Sequence, residues 1–271
     1  MQDASDGSPP SNHIGVIAAT VLLCYALAHL ATSPEVTFAI QLPGFYFAYG
    51  VTLGSAMTLM AGGLTATGMV WLLRAGGRLE GRRSVEHWMI PTLTSLIIGI
   101  VLNVLPAGSS WWIGFFTGAV LLVAVLMAEY VAVDPEAPMY AMASAGLTAL
   151  SYAIFLLFAI ILRLGGARLF LVVPSIFVAC GLVALRTLHL RFNDRWHYPW
   201  ALGIGMACSQ IAGGLHYWPL TPVQYGLAVL APLLALTTLS AELSEDMPIR
   251  SALREPVIIC AGLWAAAVVL H

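Results

Sequence analysis

From residue 13 onward the chain is a succession of long apolar runs, each broken by a short stretch carrying Pro, Gly or charge. The runs at 13–31, 45–74, 88–105, 111–131, 139–162, 169–188, 200–215 and 223–241 predict eight transmembrane helices. A last run, 257–270, is about 14 residues, short of the roughly 20 that a full crossing needs, and stands as a short ninth. The expected fold is therefore all-α, a polytopic transmembrane helix bundle. Residues 1–12 are polar and lack a basic segment ahead of an apolar core, which predicts a disordered tail rather than a secretory signal. Residues 13–271 read as a single transmembrane helical domain.

Two stretches depart from plain helical patterning. In 32–44, Phe38, Ile40 and Leu42 alternate with smaller or polar residues, as in a strand-like interfacial or re-entrant segment. The second span, 45–74, is long enough to tilt, and Gly50 with Gly54 forms a GxxxG pair that Gly62, Gly63 and Gly68 continue. That face predicts close helix packing, with a substrate-lining helix as the alternative.

Composition agrees with the pattern. The sequence is 60% hydrophobic and 9% charged with a mean hydropathy of +0.89, too little charge to cover a soluble domain of ordinary size. A net charge of -2 gives no basic footprint for nucleic acid. The expected partners are the lipid bilayer and other membrane subunits. All 11 basic residues are arginine, so there is no lysine for a retinal Schiff base or a phosphate-binding P-loop. Cys24, Cys180, Cys208 and Cys260 lie in apolar runs without metal-ligand spacing and read as small hydrophobes. No metal site and no cofactor is expected from them.

Arginine placement orients the bundle. With eight spans, Arg74, Arg78, Arg82, Arg83, Arg186, Arg191, Arg195, Arg250 and Arg254 fall on one side, and Arg163 and Arg168 on the other. The positive-inside rule makes the first side cytoplasmic, together with the amino terminus. Trp88, Trp111, Trp112, Trp196, Trp200 and Trp218 sit near span ends, as an aromatic belt requires.

Candidate chemistry is sparse. His216, Tyr217, Trp218, Thr221 and Gln224 form an external turn stiffened by Pro219 and Pro222, where a ligand could sit; an aromatic belt accounts for it as well. His29 and His216 fall toward the outside and His87 and His197 toward the inside, two levels that would suit bis-histidine haems or ordinary interfacial histidines. Asn103 and Gln210 are the clearest uncharged polar groups at membrane depth, either lining a path or bonding between helices. Glu129, Arg186 and Glu242 end three helices near the cytoplasmic face as an ion-pair cluster or gate. Pro91, Pro174 and Pro232 interrupt helices. No catalytic set of Ser, His and acid, and no paired aspartates, can be assembled.

The stretch HYWPLTPVQYGLAVLAPLLALTTLSAEL, followed by LREPVIICAGLWAAA, resembles an uncharacterised family of multi-pass membrane proteins, a domain of unknown function, from filamentous green bacteria (Chloroflexota) and their relatives. The resemblance covers the last quarter of the chain. It implies a bacterial inner membrane and transfers no functional residues. Small-residue faces and few buried polar groups favour a non-enzymatic subunit or scaffold. The rivals are a transporter of a small or lipid-like solute, and a redox protein with histidine-ligated haem.

Overall fold

The computed structural model describes residues 11–31, 36–42, 45–75, 85–134, 138–192, 196–245 and 247–270. Of the expected disordered tail, residues 1–10 lie outside these, while Ser11 and Asn12 already belong to the first helix. The chain divides into two compact units, Met1–Ala143 and Ser144–His271, where sequence reading treats 13–271 as one domain.

The first unit holds α1 (Ser11–Leu30), a hairpin of β1 (Val36–Leu42) and β2 (Phe45–Val51), α2 (Leu53–Ala75), α3 (Val85–Val104) and α4 (Ser109–Val131). Helix α1 packs on α2, α3 and α4, and α3 packs on α2 and α4. Their core joins Val21 and Cys24 of α1, Met69 and Leu72 of α2, Ile98 of α3 and Leu122 and Leu126 of α4.

The strand-like segment at 36–42 is a strand, but the second span begins later than the apolar pattern suggests. Residues 45–51 are not helical; they form β2, antiparallel to β1 in a register that sets Val36 against Val51 and Leu42 against Phe45. Hydropathy reads Phe, Tyr and Val as membrane residues, whereas their aromatic and β-branched side chains favour a strand once a neighbour satisfies the backbone. Gly50 therefore lies in β2 and Gly54 in α2, so the GxxxG pair does not lie on one helix.

The second unit holds α5 (Tyr140–Leu164), whose first residues precede the boundary, α6 (Leu169–Phe192), α7 (Tyr198–His216), α8 (Pro222–Ser244), α9 (Ile249–Ala252) and α10 (Arg254–Val269). Helix α8 is the hub, touching α6, α7, α9 and α10. Leu156 and Ile160 of α5 close over Gly226 of α8, where a β-carbon would lie within 3 Å of both.

Among the described residues eight helices are long and apolar enough to cross a membrane, the architecture of an integral membrane protein. Their membership differs from the expectation in two places. The last run crosses the length threshold because helix begins upstream at Ile249, giving 21 residues; Arg250, Arg254 and Glu255 in its early turns had hidden that start. Pro256 has no amide for the Ala252 carbonyl, which accounts for the break between α9 and α10 at Leu253 while that residue keeps helical dihedrals. Conversely α7, with 19 residues, is not among the eight, because Gln210, Ser209, Pro199 and several glycines dilute it.

Buried hydroxyls mostly turn back onto their own helix: Thr65 donates to Ala61 O, Thr94 to Ile90 O, Ser151 to Leu147 O and Ser240 to Leu236 O, at 2.6 to 2.8 Å. Such groups pack in an apolar interior without water. Pro91, Pro174 and Pro232 lie inside helices as expected. Pro232 deprives the Ala228 carbonyl of its usual donor, and the indole of Trp264 on α10 replaces it, with Nε1 donating at 3.1 Å. Trp264→Phe strands that carbonyl in an apolar contact; we expect a loss of about 1 kcal/mol in reversible unfolding in detergent, while Trp71→Phe, in α2, leaves the α8–α10 contact untouched.

Candidate functional site

In the first unit, close approach of α2 and α3 creates a small polar pocket. A β-carbon at Gly54 would strike the Asn103 amide, and one at Gly99 would strike Thr58. The missing side chains let Thr58 Oγ1 donate to Gly54 O at 2.8 Å and accept from Asn103 Nδ2 at 3.0 Å. A cavity of 180 Å³ opens beside this pair, bounded also by Tyr25, His29, Leu102 and Trp111. Tyr25 donates to the Ser95 carbonyl at 2.5 Å and lies 2.7 Å from Ser95 Oγ, a bond between α1 and α3. The His29 ring stacks on Trp111 with centroids 3.9 Å apart. Two residues singled out in sequence, His29 and Asn103, are thus brought to one cavity. It lies near helix ends, for Asn103 is one residue from the last of α3. Towards the other end of α3, His87 Nδ1 meets Glu129 Oε2 of α4 at 3.2 Å, both groups buried.

In the second unit the turn between α7 and α8 is built on α8. Thr221 caps that helix: its hydroxyl accepts from Gln224 N, and Gln224 Oε1 accepts from Thr221 N at 2.8 Å. Gln224 is therefore committed to a capping box and buried, not displayed to a ligand. Tyr217 and Trp218 are 78% and 63% exposed and turn outward. Behind them Arg163, at the end of α5, donates through its two terminal nitrogens to His216 O at 2.8 Å and Trp218 O at 3.0 Å, with its guanidinium 5.3 Å from the Tyr225 ring centre. A cavity of 280 Å³ lies against this arginine, lined also by Gly166, Arg168, His216 and Tyr225. Gly166, at φ 61, makes the turn that brings Arg168 alongside. Neither Arg163 nor Arg168 stood out in sequence except as an orientation signal; two cations on the arginine-poor side were the clue to this pocket.

Other candidates have different surroundings. The His197 ring lies 5.0 Å from that of Phe192, and Gln210 is on the exposed face of α7. Arg186 and Glu242 are buried on α6 and α8, and Arg191 pairs with Glu245 at 3.0 Å. A third cavity, 460 Å³, lies between α5, α6 and α8 and is lined by hydroxyls, including Thr148, Tyr152, Thr187 and Thr237; Tyr152 and Thr237 are bonded at 2.7 Å. Among the described residues no three His, Cys, Asp or Glu side chains gather as a metal site. Cys24, Cys180 and Cys208 are buried and Cys260 is half-buried, all as free thiols.

A family described as protein of unknown function (DUF5656) matches residues 33–270. The chain belongs to that family. The DUF5656 match is not confined to the last quarter: it takes in the hairpin and every helix from α2 to α10. The two second-unit cavities described above lie wholly within it, whereas Tyr25, Ala28 and His29, which α1 contributes to the cavity beside Asn103, precede it. No curated protein and no solved structure matches this DUF5656 chain.

Proposed function

We propose that this DUF5656 protein is a non-enzymatic subunit or scaffold of a membrane complex, seated in a bacterial cytoplasmic membrane with its amino terminus in the cytoplasm. The observation that carries the reading is the outward face of α7. Ala201, Gly205, Cys208 and Ala212 face inward, while Leu202 and Met206, each 59% exposed, and Gln210 follow one another at i, i+4 and i+8 on the opposite side. Gly203 and Gly214 flank them, with no atom of another element among the described residues within 4 Å of a β-carbon at either. An amide on a surface otherwise suited to lipid is costly unless a second helix answers it, and adjacent glycines allow that helix to come close. The placement rests on the arginine distribution and on the resemblance of the last quarter of the chain to proteins of filamentous green bacteria.

Natively expressed protein, purified in mild detergent and weighed intact, is expected to carry a stoichiometric protein partner. Gln210→Leu should release it, lowering co-purification by roughly the tenfold that one interhelical bond of about 1.4 kcal/mol supports. A wild-type chain that purifies alone would sink the reading.

A second reading, transport of a small or lipid-like solute, draws on the 460 Å³ cavity, whose hydroxyls offer several bonding positions within a mainly apolar wall. Single cysteines at Thr148 and Thr237 in a cysteine-free background test it. A carrier requires labelling from both membrane faces as the cavity alternates, and labelling from one face alone excludes it.

A further inference from the structure

We infer that the 280 Å³ cavity of the second unit is a binding site for a phosphate group, and that its natural occupant is the headgroup of an anionic phospholipid. The charge balance is the first reason. Arg163 and Arg168 both line the cavity, and the sequence holds no Asp or Glu from 137 to 193 or from 195 to 241, so neither helical hairpin that frames the cavity supplies a counterion at this end. Arg168 is exposed and forms no ion pair among the described residues. Arg163 spends two of its five N–H donors on His216 O and Trp218 O, leaving three. Two arginine forks on one cavity match a tetrahedral oxyanion better than a single point charge would.

Polar groups beyond the arginines strengthen the case. Nδ1 of His216 is buried and, among the described residues, has no hydrogen-bond partner, and its residue lines the cavity. The Arg168 carbonyl accepts from Leu171 N and Val172 N, which makes Arg168 the residue that starts α6, a helix of 24 residues whose positive end opens at the cavity wall. The lipid source follows from the rim. Tyr217 and Trp218 project from the same turn, amphipathic rings of the kind that settle at headgroup depth, and Phe170 and Leu171, in the first turn of α6, are exposed apolar neighbours for an acyl chain. A soluble phosphate would use the cations but not the apolar rim.

The inference is independent of the subunit reading, because it concerns the α5–α6 and α7–α8 turns and not the outward face of α7. The test uses full-length protein stripped of lipid in detergent, followed by native mass spectrometry and thermal unfolding with phosphatidylglycerol, phosphatidylcholine or inorganic phosphate added. Phosphatidylglycerol should be retained preferentially and raise the unfolding temperature. Arg168→Gln should weaken that retention about tenfold, the weight of one charge-assisted bond, while Arg250→Gln on α9 leaves it unchanged. Arg168 is exposed, so Arg168→Gln should unfold at the wild-type temperature when no ligand is present. Protection by inorganic phosphate that Arg168→Gln abolishes, without preference for phosphatidylglycerol, would keep the phosphate site and replace the lipid with a soluble source. Equal retention of phosphatidylcholine and phosphatidylglycerol without phosphate protection, or unchanged binding in Arg168→Gln, overturns the proposal.

Discussion

Gly205→Ala is expected to lower the stability of the second unit by about 3 kcal/mol, at the upper end of what one added methyl costs in a packed interior. The β-carbon would sit 2.8 Å from the Phe177 carbonyl oxygen and 3.4 Å from the Gly181 amide nitrogen. Most tight glycines elsewhere face the ends of side chains that can rotate aside, as Gly62 faces Leu96 and Gly68 faces Ile17. A backbone carbonyl within α6 cannot move without breaking its own helical bond or pushing α6 and α7 apart, and those helices share the buried seam of Ile176, Cys180, Ala184, Ala201, Ile204 and Cys208. Gly203→Ala, on the open face of the same helix, is the control. With no atom of another element among the described residues within 4 Å of the added carbon, it should change stability by less than about 1 kcal/mol, the range of helix propensity alone. Reversible unfolding in mixed micelles reads both, and similar values for the two would mean that α6 and α7 do not pack through Gly205.

The contrast between these glycines also shows what the sequence could and could not disclose. Apolar run length is a statement about solvent, so the existence of most helices was legible, as was the class of protein. Faces were not. Small residues marked α2 as a packing helix, and it is one, yet Gly50 belongs to a strand and the backbone-to-backbone approach lies between α6 and α7. Telling an inward glycine from an outward one requires the partner helix, which hydropathy does not name.

Segment ends were hidden for a different reason. Residues 45–51 read as helix in the sequence because apolar content does not distinguish a strand with a paired neighbour from a helix. The last helix looked too short because arginines and a glutamate occupy its first turns, where lipid no longer penalises them. Candidate residues fared according to how local their bonds are. Gln224 stood out as a polar group in an external turn, but its partner is only three residues away and its role is to cap α8. His29 and Asn103 do reach one cavity, yet Tyr25, Thr58 and Trp111, which share it, are unremarkable in an apolar sequence. Pairs such as Tyr25 with Ser95, 70 positions apart, leave no local trace.

Arg163→Met is expected to destabilise the second unit by about 2 to 4 kcal/mol, and Arg163→Lys to recover less than half of the loss. The arginine joins three helices: it ends α5, its two terminal nitrogens cap carbonyls at and just beyond the end of α7, and its guanidinium faces Tyr225 near the start of α8. Carbonyls at a helix end have no intrahelical donor, and a cation there also answers the negative end of the helix dipole. Each charge-assisted bond contributes about 1.5 to 3 kcal/mol, reduced here because the Trp218 contact is exposed to solvent. Lysine keeps the charge but presents one nitrogen, so it cannot span two carbonyls that Arg163 reaches with separate arms. Thermal unfolding of lipid-free protein distinguishes the outcomes, and full recovery in Arg163→Lys would show that charge alone matters. The same measurement separates the arginines by role. Arg163 holds the wall of the cavity and should register without any ligand, whereas Arg168, exposed and without an ion pair among the described residues, should register only when a phosphate is present. A pocket whose one arginine fixes the turns and whose other remains available can bind an anion without rebuilding itself, and that division of labour fails if Arg168→Gln alone unfolds the lipid-free protein.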